Sequence, residues 1–349
     1  MALILYSSGW WGSQTNRDKY GTFDLSEAYV ANGNANGLPA NPKLMYSAGM
    51  HTPLADWGYW APYQEAVSDG YVLHKPDGTL CLNANQYGLD VGDPEMQRDW
   101  LRGIRAKMAQ YPALDGFYID GVHRQVQAWC GGSFPQEYPT LAAWDTAMKE
   151  WAQVVGTAAR NEGIYLLPSA GGYCPSCGDP ITSTEYWFRE ISPYFPALFY
   201  ELWVSHSSST RLASMGPAWD QQWDRKVALH TLANSLGVDF YALDRWDNMD
   251  VQGKTYTRVS FLINWDDQGG GHFQSQRCGF SCGDQWPPGE ASYDVGQPVS
   301  AKVQVGVGWR REFTKAYVLI NPDPSVSQTF GVGGQTVTVG PVRARIILK

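Results

Sequence analysis

Leu114-Asp115-Gly116-Phe117-Tyr118-Ile119-Asp120-Gly121-Val122 is the stretch on which the fold turns. Its apolar centre is too short for a helix and does not alternate apolar with polar residues, so it reads as a strand buried in a parallel sheet. An acid occupies its last position and a glycine follows. Upstream, Asp93-Pro94-Glu95 offers an N-cap, a proline at the first helical position and an acidic first turn; Met96, Trp100, Leu101, Ile104 and Met108 follow at helical spacing. A helix over Asp93 to Gln110 is predicted. Similar patterns over Thr140 to Asn161 and Gln221 to Leu236 end at Gly163 and Gly237, where a left-handed residue closes a helix.

Strands alternating with such helices form a parallel sheet with crossover helices. Eight strands can be placed, near Leu3 to Ser8, Lys43 to Ala48, Leu80 to Leu89, Gly116 to Asp120, Ile164 to Ser169, Ile181 to Tyr186, Leu198 to Val204 and Val238 to Leu243. The expected fold class is therefore α/β: a (β/α)8 TIM barrel over residues 1–268, with a small C-terminal antiparallel β domain. After Gly269 the composition turns to Gly, Pro and Ser, giving a Cys-containing loop over 269–296. The β domain then covers 297–349, with alternating runs at Ala301 to Val307, Lys315 to Ile320, Thr336 to Val339 and Ala344 to Leu348.

The 349 residues include 16 Trp, 20 Tyr and 12 Phe, 14% aromatic against 17% charged. Most of these rings belong in a core, but the excess fits a cleft whose flat rings meet the apolar faces of sugars. A net charge of −8 and the lack of a basic stripe argue against a nucleic-acid partner. The longest apolar runs, such as Phe199 to Val204, are too short to cross a bilayer. Ala2 to Tyr6 has no basic leader or cleavage site and reads as the first strand, so no signal peptide is visible. The six cysteines, Cys81, Cys130, Cys174, Cys177, Cys278 and Cys282, lie in loop-like segments and favour disulfides, hence an extracellular or released protein, secreted or phage-associated. The spacings Cys174-x-x-Cys177 and Cys278-x-x-x-Cys282 leave a four-thiolate zinc site as the alternative.

In such a barrel the active site lies at the C-terminal ends of the strands, which places Asp120 at the mouth with Gly121 letting a ligand approach the backbone. The competing role for Asp120 is a cap on the next segment. Glycoside hydrolysis uses two carboxyl groups across the scissile bond. The second is Glu185, beside Tyr186 and Trp187 near the sixth strand, or Glu201 within the seventh. Asp90, after the third strand, and Asp244, after the eighth, are candidate contacts for sugar hydroxyls, although an Asp244–Arg245 salt bridge is the plainer reading. Asp93 is assigned to capping. His123 is a candidate cleft residue or simply solvated. Trp10 and Trp11, Trp57 and Trp60, and Trp246 fall on loops at one face, as a saccharide cleft requires. No metal in the active site and no cofactor is expected.

The run Leu89-Asp90-Val91-Gly92-Asp93-Pro94-Glu95, a helix, and then Asp115-Gly116-Phe117-Tyr118-Ile119-Asp120 resembles the glycosyl hydrolase-like (β/α)8-barrel families related to the alpha-amylase and alpha-galactosidase clans. The resemblance implies an α-linked glycan substrate, retention of configuration, and Asp120 as nucleophile. The acid in those clans comes from strand five or six. Here strand five ends in Leu167-Pro168-Ser169-Ala170-Gly171-Gly172 without a carboxylate, which moves the role to Glu185. Ala316-Tyr317-Val318-Leu319-Ile320-Asn321-Pro322 is similar to the β domain that closes many such enzymes. A lysozyme-like barrel would want an acid at the first strand and Asp-x-Glu at the fourth, which Tyr6-Ser7-Ser8-Gly9 and Tyr118-Ile119-Asp120 do not supply. A metal-dependent hydrolase would want a His-x-His pair, whereas the six histidines are scattered. The alternative from another class is a non-catalytic carbohydrate-binding or phage-tail barrel module.

Overall fold

A computed structural model of the protein describes residues 3–5, 44–53, 63–83, 86–110, 112, 115–171, 177–201, 203–205, 212–216, 222–246, 251–266, 270–276 and 289–349. They fall into two compact units. One ends at Phe199; the other runs from Tyr200 to Lys349 and takes in the first strand.

The first unit is built on three parallel strands, β2 (Leu44–Ala48), β6 (Gly116–Asp120) and β7 (Tyr165–Gly171), in the order β2-β6-β7. Gly116 opens β6, where a Cβ would collide with the Tyr165 backbone. Helices α2 (Pro94–Gln110) and α3 (Leu141–Asn161) follow the predicted spans closely. Asp93 Oδ1 accepts from the Glu95 amide at 2.7 Å and the Met96 amide at 3.2 Å, and Thr140 Oγ1 accepts from the Ala143 amide at 3.2 Å. The two helices meet through Trp100 and Trp151, both fully buried, edge to face at 5.4 Å.

Two predicted strands are corrected. Leu80 to Leu89 supplies no barrel strand; it forms β4 (Leu82–Asn83) and β5 (Gln86–Gly88), which join β3 (His51–Pro53) in a small antiparallel sheet. This sheet lies beyond the end of β2, near the short helix α1 (Tyr63–Ser68), and a Cys81–Cys130 disulfide ties it to the loop after β6. Ile181 to Tyr186 is also not a strand. It lies in helix α4 (Pro180–Ile191), because Asp179 caps the Thr182 amide at 2.8 Å and Pro180 takes the first helical position, outweighing the strand preference of Ile, Thr and Tyr.

In the second unit β1 (Leu3–Leu5) pairs in parallel with β10 (Gly271–Gln276), and β10 with β9 (Asp239–Trp246); β8 (Ala197–Glu201), whose last two residues open this unit, is next in the order. The strand β10 lies within the segment read as a Gly/Pro-rich loop. Its polar sequence His272-Phe273-Gln274-Ser275-Gln276 conceals it. Helices α5 (Trp223–Ser235) and α6 (Val251–Leu262) belong to this unit. The C-terminal residues form the antiparallel sheet β11-β12-β13-β16 (Val303–Val305, Gly308–Glu312, Ala316–Asn321 and Arg343–Leu348) and the hairpin β14-β15 (Gln328–Val332 and Gln335–Val339). Leu319, Phe330, Val332 and Val339 form their core. The sheet packs on α6 through β16 and β13. Arg311 of β12 donates to the carbonyls of Leu262 at 3.0 Å, Ile263 at 3.3 Å and Trp265, at and just after the end of α6.

Candidate active site around Asp120

Asp120 is the one residue of β6 that is not buried, at the C-terminal end of a strand flanked by two parallel neighbours. Its backbone is held from the side, since its carbonyl accepts from the Gly49 amide at 2.8 Å. Gly121 then adopts φ +77°, and a Cβ there would come within 2.8 Å of His51 Nδ1. The chain turns sharply at that glycine, just past the end of the strand.

Three contacts pin the segment after the turn. Trp187 Nε1 donates to the Val122 carbonyl at 2.8 Å, and Trp144 Nε1 to the His123 carbonyl at 3.3 Å. Arg124 forms a forked pair with Asp145, at 2.9 and 2.5 Å, donates to Ser183 Oγ at 3.0 Å and lies 4.7 Å from the centre of the Tyr186 ring. The support beneath Asp120 is thus a network from α3 and α4.

His123 is part-buried rather than freely solvated, and its Nδ1 accepts from the Gln125 amide at 3.2 Å. Burial pushes its imidazole down to about 4, and His51 adds to this, while Asp120 and a backbone hydrogen bond oppose it. Sequence reasoning missed His51. It is 2% exposed, lowered in the same direction by burial and raised by Asp120, and neither ring nitrogen has a hydrogen-bond partner among the described residues. Trp129 was also missed; both histidines stack on it. A repeated Gly-x-His after two apolar runs, Gly49-Met50-His51 and Gly121-Val122-His123, was the available signal.

Asp90 is half-buried and accepts a hydrogen bond from the Tyr138 hydroxyl, which itself accepts from the Gly92 amide at 3.0 Å. Burial holds this carboxyl above the usual range, with Glu137 and Asp93 adding to the effect and the Tyr138 bond opposing it. Glu185 lies in α4 rather than at a strand end. Two residues beyond Ser183 and one before Tyr186, it is turned about 200° and 100° around the helix from the side chains that meet Arg124.

In the other unit, Glu201 closes β8 as Asp120 closes β6: four buried residues, then a part-exposed carboxylate. Asp244 is fully buried, and its Oδ1 accepts from the Val204 and Ser205 amides, both at 2.8 Å. That geometry gives it a structural task in place of the predicted contact with sugar, because no part of the side chain reaches the surface. Trp246 is the last residue of β9, in register with Gln276. Trp10, Trp11, Trp57 and Trp60 lie outside the described residues. So do Cys174, Cys278 and Cys282, but Cys177 is disulfide-bonded, which removes it from the zinc alternative. No cluster of His, Cys, Asp and Glu that could hold a metal occurs among the described residues, and none of their helices is long and apolar enough to cross a membrane.

No protein-family model and no curated protein sequence matches the chain. The solved structures similar to it include glycoside hydrolases. One is the cyclic alpha-maltosyl-(1→6)-maltose hydrolase of Arthrobacter globiformis, at 11% identity over 88% of this chain and 74% of that one, with a TM-score of 0.39. Another is an alpha-galactosidase of Lactobacillus brevis, at 10% identity over 87% of this chain and 44% of that one, TM-score 0.43. A third is the alpha-N-acetylgalactosaminidase NagBb of Bifidobacterium bifidum, at 12% identity over 84% and 42%, TM-score 0.40. The match spans less than half the length of the last two. With every TM-score below 0.5, the likeness is coarse and decides neither fold nor activity.

Proposed function

We propose that the protein is a glycoside hydrolase on a (β/α)8 barrel, with Asp120 as its principal catalytic carboxylate. The observation that carries the reading is the place of Asp120: the part-exposed acid ending an otherwise buried parallel strand, the position from which barrel enzymes present reactive groups. The fold is supported by the parallel pairing of β2, β6 and β7 in one unit and of β1, β10 and β9 in the other. The disulfide between Cys81 and Cys130 supports an oxidising, extracellular setting.

On this reading Asp120 is the nucleophile of a retaining mechanism on an α-linked glycan, and the acid is Glu201 or Glu185. Glu201 ends a strand, whereas Glu185 lies in a helix. Asp90 and His123 belong to the substrate-binding shell, with the tryptophans of the loops. The experiment is a polysaccharide and oligosaccharide panel with products read by mass spectrometry. Asp120→Asn, which keeps shape but not charge, is expected to lower kcat on the order of a thousandfold. Of Glu185→Gln and Glu201→Gln, the one that removes the acid is expected to slow leaving-group departure most for substrates with poor leaving groups, and the other to leave turnover near normal. Glycan binding with no turnover by the unaltered protein would sink the hydrolase reading in favour of a carbohydrate-binding module.

A further inference from the structure

Strands β2 and β6 lie side by side with Ala48 opposite Asp120, and the same pattern follows each: Gly49-Met50-His51 and Gly121-Val122-His123. The two histidines therefore occupy equivalent places after neighbouring strands. Both stack on one ring. His51 lies 5.4 Å from the Trp129 ring with planes at 15°, and His123 lies 5.6 Å away at 24°. The glycines make this approach possible. A Cβ at Gly49 would sit 3.1 Å from the Asp120 carbonyl oxygen, and one at Gly121 would sit 2.8 Å from His51 Nδ1. The Nδ1 edge of His51 is thus set against the residue that follows Asp120. Among the described residues neither nitrogen of this buried imidazole has a partner, an arrangement that costs about 1–3 kcal/mol and asks for a reason.

We propose that His51 and His123 are a matched pair of positioning residues for Asp120, placed by the register of two strands and braced by Trp129. The proposal rests on the reading of Asp120 as the catalytic carboxylate. Asp120 is the charged group that acts on both rings, and His51 in turn lowers His123. The neighbouring Arg124 cation is taken up by Asp145. Burial keeps both rings uncharged, so the negative charge of Asp120 remains available to a substrate that develops positive charge in the transition state. A proton on either ring would offset that charge. Activity should therefore fall on the acid side, below the ordinary histidine value of 6.5 and toward the value of about 4 to which His123 is lowered.

The test is an NMR pH titration of the histidine ring signals in the full chain, assigned with His51→Asn and His123→Asn. Both midpoints are expected below 6.5 in the unaltered protein, and lower still in Asp120→Asn, where the charge that raises them is gone. Midpoints that stay put in a folded Asp120→Asn protein would overturn the pair. Should that variant fail to fold, Asp120→Glu moves the charge without removing it and must still shift both midpoints, or the proposal fails. On any substrate that the panel identifies, His51→Asn is expected to lower kcat about tenfold with KM within about twofold, and the double variant to lose the histidine-dependent acid limb. An unchanged kcat and acid limb would count against the pair even if the titrations are coupled. Coupled titrations with no turnover on any glycan would uphold the juxtaposition and defeat the hydrolase reading; turnover that depends on Asp120 with uncoupled histidines would do the reverse.

Discussion

Two carboxylates that look alike in sequence, Asp120 and Asp244, each near the end of an apolar strand, have opposite surroundings. Asp120 is part-exposed, whereas Asp244 is withdrawn and spends its Oδ1 on two backbone amides just beyond Glu201. Those amides belong to Val204 and Ser205, both buried, so they have no access to water if the acceptor is lost. Asp244→Ala should therefore destabilise the protein by about 2–5 kcal/mol, and Asp244→Asn by less because its amide oxygen can still accept. Urea unfolding measures the difference, and equal effects of the two substitutions would refute the assigned hydrogen bonds. Sequence alone separates these acids poorly. The alternation of faces along a strand depends on register, and register is set by pairing partners that lie many residues away. The same limit hid His51, whose meaning emerges only once Ala48 is seen opposite Asp120.

Elements announced by local chemistry were legible, and those shaped by distant partners were not. Asp93-Pro94 and Thr140 start helices α2 and α3 where their capping chemistry says they should, and β6 ends where its acid and glycine say. Asp179-Pro180 carried the same start signal for α4, yet the β-branched residues after it read as a strand; the cap was the better guide because it satisfies an amide that β-propensity cannot. The sheet β3-β5-β4 was unreadable for another reason. Its short strands answer to cross-strand pairing and to the Cys81–Cys130 bond, a choice of cysteine partners that sequence leaves open. That bond spans a sequence separation of 49 and holds the residue next to Trp129. Closing a loop of this length should be worth about 2–4 kcal/mol, so Cys81→Ala/Cys130→Ala is expected to lower stability by that amount in urea unfolding. A variant as stable as the unaltered protein would mean that the small sheet holds its shape without the bond.

At the level of the molecule, the described part of the second unit joins parallel strands to an antiparallel β sheet through one helix, and it does so with one buried and one part-buried arginine. Arg258 of α6 is 1% exposed and donates to the carbonyls of Ala291 at 2.5 Å and Tyr293 at 2.6 Å, in the segment that leads into the β sheet. Arg311 reaches the opposite way, from β12 to the last carbonyls of α6, where the partial negative charge of the helix terminus favours a cation. Stacking of Trp265 on Phe313 at 6.4 Å, with planes at 5°, lies beside this contact. Such a junction couples the two layers more tightly than an ordinary linker, since separating them would strand helix-end carbonyls as well as expose apolar surface. Arg311→Met keeps most of the side-chain volume and removes the donors, and it should cost about 2–4 kcal/mol. If the layers are one cooperative body, calorimetry will show the transition of this unit moving to lower temperature as a single peak. If Arg311 is only a surface decoration, the peak will not move; if the β sheet is an independent module, a separate transition will appear while that of the parallel strands stays in place.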